Sequence, residues 1–200
     1  MRQLAVCLDF DDTCVDFLGA LLDTYYLDSG DLIPLNSLTD YKLPNPLKSH
    51  LKASERLGFY RSLQSLRGSF AFIDKCQKLG IKIIFITARP EKYEEDTRHN
   101  LREHSIQNYE LYFSKDKAKT IESLKTEYNI LAFIDDRAST VVDVHTKCNL
   151  PYSFLVNKPH NKNCFLDGLK IIRIDDLADA WVILSGSIQL LGLNIANGID

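Results

Sequence analysis

Asp9 and Asp11 stand two residues apart, directly after the apolar run Leu4 to Leu8. On an extended chain that spacing points both side chains to the same side. A carboxylate so placed can attack phosphorus and form an aspartyl-phosphate, which splits one difficult displacement into two easier ones. A second carboxyl can protonate the leaving oxygen and then deprotonate the attacking water. Two neighbouring acids repel each other unless a cation joins them. Mg²⁺, a hard ion that prefers oxygen ligands, would relieve that repulsion and neutralise a phosphate. Asp135 and Asp136 follow another apolar run and offer further oxygen ligands. Thr87 supplies a hydroxyl donor, and Lys117 a compact positive charge for a phosphate and for Asp9. Phosphoryl transfer asks mostly for positioning and charge neutralisation, and this set provides both.

Each member alone has an ordinary explanation. Asp-x-Asp is often a turn or a helix cap. Thr87 alone would be a strand-end hydroxyl, and Asp135-Asp136 a solvated helix start. The order carries the reading. Leu8-Asp9, Ile86-Thr87-Ala88-Arg89, Phe113-Ser114-Lys115-Asp116-Lys117 and Ile134-Asp135-Asp136-Arg137 each bring polar groups to the end of an apolar run. Packing alone does not explain four such endings.

The elements that must position them are legible as short apolar runs: Leu4 to Leu8, Ile81 to Ile86, Leu111 to Phe113, Ile130 to Ile134, Ser153 to Val156 and, more weakly, Ile171 to Ile174. Helical segments lie between most of them. Phe70, Ile73, Cys76 and Leu79 approach one face before Gly80 stops the helix. Pro90 suits a first helical turn, with Glu91, Glu94 and Glu95 near the positive end of the dipole and Glu94–Arg98 spaced as an i,i+4 pair. Lys117 to Tyr128 and Ser139 to Cys148 complete the alternation. Strands without polar alternation, interleaved with helices, predict an α/β fold: a Rossmann-like, mostly parallel sheet with helices on both faces. Ligands of such sheets sit beyond the carboxyl ends of the strands.

Residues 30–68 break the alternation. They hold Pro34, Pro44 and Pro46 and a helical piece from about Leu47 to Leu57. A connection this long is uncommon without a role. The expected organisation is therefore a core of residues 1–29 and 69–184, a small, mainly helical cap insert at 30–68, and an unassigned tail at 185–200.

Composition narrows the function. A net charge of −3 gives no footprint for general nucleic-acid binding. Five cysteines without Cys-x-x-Cys spacing argue against a disulfide framework or a zinc site and fit a reducing compartment. The N-terminal apolar stretch is short and interrupted by Asp9, unlike a signal peptide, and no run is long enough for a membrane span. A cytoplasmic location is the expectation.

The four strand-end motifs resemble those of the haloacid dehalogenase superfamily over about residues 4–175. Within it the chain most resembles the 5′(3′)-deoxyribonucleotidase group. Phe17 stands where that group has an aromatic near the nucleotide. Gly58-Phe59-Tyr60-Arg61-Ser62-Leu63 with Gly68 resembles its exit from the cap. Ser114-Lys115-Asp116-Lys117 resembles its lysine motif, and Val156-Asn157-Lys158-Pro159-His160-Asn161 its late loop. A weaker resemblance runs to the 3′-phosphatase domain of phage polynucleotide kinases.

The resemblance implies a magnesium-dependent phosphomonoesterase for nucleoside monophosphates, more so deoxy ones. Asp9 would be nucleophile and metal ligand. Asp11 would be the acid/base and bind the metal through its backbone carbonyl. Asp136 would be a side-chain ligand with Asp135 supporting, and Thr87 and Lys117 would hold the phosphoryl group. Asp12 replaces the usual glycine, with little chemical effect expected. Ala88 replaces a frequent serine, so Arg89 is a candidate phosphate contact in its place. Arg89 and Arg137 could equally pair with carboxylates. Phe17 could be a base platform or a core residue of the first helix. Tyr25, Tyr26, Tyr41, Phe59 and Tyr60 could line the substrate or form the insert's own core. His160 and Asn161 read by default as surface-loop residues, and Lys115 and Lys119 as a solvated face. Other readings are a 3′-phosphatase on nucleic-acid ends, a small-metabolite phosphatase, and a non-catalytic nucleotide-binding module.

Overall fold

The computed structural model describes residues 2–38 and 42–190; Tyr41 and the end of the tail, 191–200, lie outside the described residues. Its centre is a six-stranded sheet of β1 (Gln3–Leu8), β2 (Lys82–Thr87), β3 (Tyr109–Phe113), β4 (Tyr128–Asp135), β5 (Tyr152–Val156) and β6 (Ile171–Ile174), in the order β3-β2-β1-β4-β5-β6. Every pairing is parallel. Each expected apolar run is a strand, because strands covered on both faces need apolar residues at successive positions.

The faces divide with the period of two. Val6 and Leu8 of β1, with Ile83 and Phe85 of β2, join one buried cluster. Helices α1 (Phe17–Ser29), α3 (Ser69–Lys78), α4 (Glu94–Glu103) and α7 (Leu177–Leu190) contribute to it. Ala5 and Cys7, with Ile84 and Ile86, join a second cluster under α5 (Lys117–Leu124) and α6 (Ala138–Cys148).

Three boundaries differ from expectation. The helix opening at Lys117 ends at Leu124, since Tyr128 already belongs to β4, with its side chain buried. Pro90 is extended (ψ 133°) ahead of a 3₁₀ turn at Glu91–Tyr93, so α4 opens at Glu94, keeping Glu94, Glu95 and Asp96 in its first turn. The Glu94–Arg98 pair forms at 2.7 Å. The patterning that fades after Leu184 is still helix: α7 continues to Leu190 and buries Ile188.

Between α1 and α3 runs the 30–68 stretch, with α2 (Asn45–Glu55) and a 3₁₀ turn at Phe59–Arg61. Its buried Leu38, Leu47, Phe59, Tyr60 and Leu63 belong to the cluster that holds α1, so it is packed continuously with the sheet's helices. Its returning segment is tied to the loop after β1. Asp16 N–H donates to Gln64 O at 2.9 Å and Leu66 N–H to Cys14 O at 2.9 Å. Among the described residues, no helix is long and apolar enough to cross a membrane.

Candidate active site

The strand order turns back between β1 and β4, the place where parallel sheets open a crevice beyond their carboxyl ends. The β1–β4 ladder extends through Asp9, whose N–H donates to Ile134 O at 2.9 Å. Asp9 therefore leaves the sheet beside Asp135, the last residue of β4.

Carboxylate oxygens of Asp9, Asp135 and Asp136 lie within 4.8 Å of one another, all on buried residues. Lys117, at the first turn of α5, reaches into this group. Its Nζ contacts Asp9 Oδ1 and lies 2.8 Å from Asp135 Oδ2. Burial disfavours the Lys117 ammonium, but Asp135 and Asp9 outweigh that and raise its pKa above the ordinary lysine value. Burial also pushes the Asp9 carboxyl up; Lys117 opposes this, while Asp135, Asp136 and Asp11 add to it. Asp135 spends its other oxygen on the N–H of Arg137, at 2.7 Å. The Lys117 ammonium alone does not balance three clustered carboxyl groups, and an all-oxygen donor set fits a hard divalent cation such as Mg²⁺.

The loop after β1 is shaped by two capping acids. Asp12 has φ +55° and accepts from the N–H groups of Phe17 (3.1 Å) and Leu18 (2.9 Å). Asp16 accepts from Gly19 N–H at 3.0 Å. Together they satisfy the first three N–H groups of α1, donors that a helix cannot satisfy itself. The left-handed φ is also the physical reason a glycine suits this position. Asp12 thus does more than replace it.

Asp11 turns away from the three-acid cluster toward Arg89. Arg89 Nε donates to Asp11 Oδ2 at 2.9 Å and Oδ1 at 3.1 Å, and Nη2 to Oδ1 at 2.5 Å. Of the two partners open to Arg89 from the sequence, it meets the carboxylate. Arg89 Nη1 donates to Thr97 Oγ1 at 3.0 Å, and the guanidinium carbon lies 4.7 Å from the Phe10 ring centre and 4.4 Å from that of Tyr60.

A cavity of about 440 Å³ opens over these groups. Asp9, Asp11, Lys117 and Asp136 line it below, and Phe17, Leu43 and Tyr60 form part of its wall. Phe17 and Tyr60 stack with ring centres 6.2 Å apart and planes 13° apart. Phe17 is thus both a packed residue of α1 and a cavity wall. Ala88 and Arg89 line the cavity too. Thr87 is fully buried and is not among the lining residues; its Oγ1 accepts the N–H of Arg89 at 3.2 Å. Lys115 is an exposed lining residue, and Lys119 is exposed.

The late loop overturns its surface reading. His160 and Asn161 are buried. His160 Nε2 lies 2.8 Å from Asp136 Oδ2, and Asn161 Nδ2 donates to Asp136 O and, at 2.7 Å, to Val156 O. Burial lowers the His160 pKa, yet hydrogen bonding to Asp136 prevails and raises it. The sequence signal was the loop's position just beyond β5, beside the β4 end. Tyr60 was visible only as one of several insert aromatics.

A parallel sheet with these residues gathered at its carboxyl ends defines a hydrolase fold of the haloacid dehalogenase type, and solved structures share it. SP0104 from Streptococcus pneumoniae, a haloacid dehalogenase-like hydrolase, is 14% identical with a TM-score of 0.61, covering 90% of this chain and 98% of that one. The HAD-hydrolase YfnB from Bacillus subtilis, bound to magnesium, is 15% identical with a TM-score of 0.60, covering 92% and 100%. CbbY from Rhodobacter sphaeroides, in complex with phosphate, is 13% identical with a TM-score of 0.57, covering 90% and 96%. No curated protein sequence matches the chain. Residues 60–163 match the family model described as HAD superfamily, subfamily IIIB (acid phosphatase). The chain belongs to that family and is a phosphatase. The matched stretch includes Thr87, Arg89, Lys117, Asp135 and Asp136, while Asp9 and Asp11 precede it.

Proposed function

We propose that the chain is a magnesium-dependent phosphomonoesterase for nucleoside monophosphates, with deoxynucleotides preferred, working through an aspartyl-phosphate on Asp9. The observation that carries this is the buried Asp9–Asp135–Asp136 group, with the Lys117 ammonium inside it, on the floor of a cavity. Asp9 attacks phosphorus, a bond forms to its oxygen, and the bond to the leaving oxygen breaks as Asp11 donates a proton to that oxygen. Water then attacks the acyl-phosphate, Asp11 takes the water's proton, and inorganic phosphate leaves. Lys117 holds Asp9 in place and offers positive charge to the phosphoryl oxygens. The Arg89 bonds meet Asp11 as a carboxylate, so carrying the proton in the first step requires one of these contacts to give.

Asp9, Asp136 and the Asp11 carbonyl would hold Mg²⁺, with Asp135 in support; the magnesium bound to YfnB on the same fold is in keeping with this. When bound, the ion supplies charge neutralisation to the phosphate and to Asp9. Ala88 and Arg89 would border the phosphate, with the buried Thr87 hydroxyl holding the Arg89 backbone beneath them. Residues 30–68 act as a cap that limits the substrate to a small molecule. Phe17 presents an aromatic face to the base, a type of contact worth about 1–3 kcal/mol elsewhere.

The test is phosphate release from 5′- and 3′-nucleoside monophosphates, ribo and deoxy, with Mg²⁺, beside sugar phosphates and a 3′-phosphorylated oligonucleotide. Asp9→Asn protein is the blank. Fastest release from a deoxynucleotide is the expected result. Release only from sugar phosphates or the oligonucleotide would keep the chemistry and remove the nucleotidase assignment.

A further inference from the structure

Tyr60 belongs to the 30–68 stretch, yet its ring lies over a group that binds Asp11. The Arg89 guanidinium, 4.4 Å from the Tyr60 ring centre, grips both oxygens of Asp11. Both residues of the stacked pair are almost fully buried. Cation–π attraction is strongest where it is desolvated, so this contact is placed to hold the guanidinium. The ring is itself anchored. Its hydroxyl donates to Glu55 Oε1 at 2.9 Å, and Tyr93 donates to Glu55 Oε2 at 2.9 Å. Glu55 closes α2 of the insert, whereas Tyr93 stands just before α4 on the sheet side. One carboxylate therefore ties the insert to the core at the residue that covers Arg89. Burial, the Asp11 charge and the Glu55 bond all raise the Tyr60 pKa, so the hydroxyl stays a donor near neutral pH.

We infer that Tyr60 is a positioning residue: acting through Arg89 it sets the orientation of Asp11, which makes proton delivery to the leaving group depend on a seated cap. The inference rests on the acid/base role proposed for Asp11. Asp11 must loosen part of its grip on Arg89 when it carries a proton. A guanidinium that moved with it would carry the carboxylate out of line. The Tyr60 and Phe10 rings and the Thr97 hydroxyl keep the guanidinium fixed while Asp11 turns. A wall residue that touched only substrate would act differently, raising KM while leaving kcat unchanged.

The experiment compares kcat/KM for an alkyl phosphate, whose leaving oxygen needs a proton, and for 4-nitrophenyl phosphate, whose leaving group does not. For Tyr60→Leu we expect the alkyl value to fall by about tenfold or more and the aryl value by less than about threefold, set against the roughly 10²–10⁴-fold typical of an acid/base group. Tyr60→Phe, which keeps the ring, should recover most of the alkyl rate. Glu55→Gln should show a smaller split in the same direction, and it carries the test if Tyr60→Leu does not fold. Equal losses on both substrates, or a rise in KM alone, would overturn the inference. Asp11→Asn is the control. If it shows no alkyl–aryl split, the acid/base reading itself is wrong; if it splits and neither Tyr60→Leu nor Glu55→Gln does, only the role of Tyr60 falls.

Discussion

Replacing Asp12 separates two contributions that meet at one residue beside the catalytic loop. At φ +55° an ordinary side chain costs about 1–2 kcal/mol, a cost that glycine escapes and that asparagine and aspartate tolerate. The carboxylate also caps Phe17 and Leu18 N–H, and losing such a cap costs about 0.5–2 kcal/mol. Asp12→Ala loses both, about 2–3 kcal/mol. At roughly 2–4 °C per kcal/mol for a chain of this size, its melting temperature should fall by about 5–10 °C. Asp12→Gly loses the cap but relieves the backbone, and should cost about 1 kcal/mol. Asp12→Asn keeps both and should stay within about 1 kcal/mol of the parent. Thermal and urea unfolding followed by circular dichroism give the order directly. Alanine as stable as asparagine would refute the capping argument, and glycine less stable than alanine would refute the backbone one.

Lys117→Ala should lower turnover by about a hundredfold or more and leave two acids buried without their cation, whereas Lys115→Ala, at an exposed rim, should cost less than about threefold. Steady-state kinetics decide, and the reverse order would misplace the phosphate-binding lysine. Mg²⁺ should raise the melting temperature of the parent protein and not of Asp136→Asn; an equal rise in both would remove Asp136 from the metal site. Gly68 has φ +77°, and a Cβ there would meet Ala178 N at 3.2 Å. Gly68→Ala should therefore destabilise by about 1–2 kcal/mol in urea unfolding, and no change would mean that α7 yields freely. Cys7, Cys14, Cys76 and Cys148 are buried, and burial pushes the Cys76 thiol up to about 12. Iodoacetamide at pH 8 should label Cys164 in the native protein, and peptide mapping that finds Cys76 labelled first would contradict this packing.

The sheet was readable because its strands are buried on both faces and so leave unbroken apolar runs. The polar residues that follow those runs pointed to the site for the same reason: the sheet aligns strand ends on one rim. Element ends were less readable. No break in pattern separates Leu124 from Tyr128, and Ser185-Gly186-Ser187 hides the continuing helix of α7. Contacts across long separations left no local trace. His160 and Asn161 meet Asp136 across 24 and 25 residues, and Arg89 meets Asp11 across 78. Nothing in the spacing of those residues distinguishes a buried partner from a solvated loop.

The pairing of β1 with β4 has a consequence for how the chain is made. β1 leaves the ribosome well before β4, and that neighbour is complete only at Asp135. At about 5–20 residues per second, that partner follows after roughly ten seconds. Until then an apolar strand destined for the middle of the sheet has at least one open edge, the kind of edge that recruits other chains. The acid cluster is divided across the same interval, with Asp9 made early and Asp135 and Asp136 late. A chain released before β4 would therefore be aggregation-prone and would lack most of the acid cluster. Slowing synthesis between β1 and β4 should reduce soluble yield while leaving the specific activity of the surviving protein unchanged.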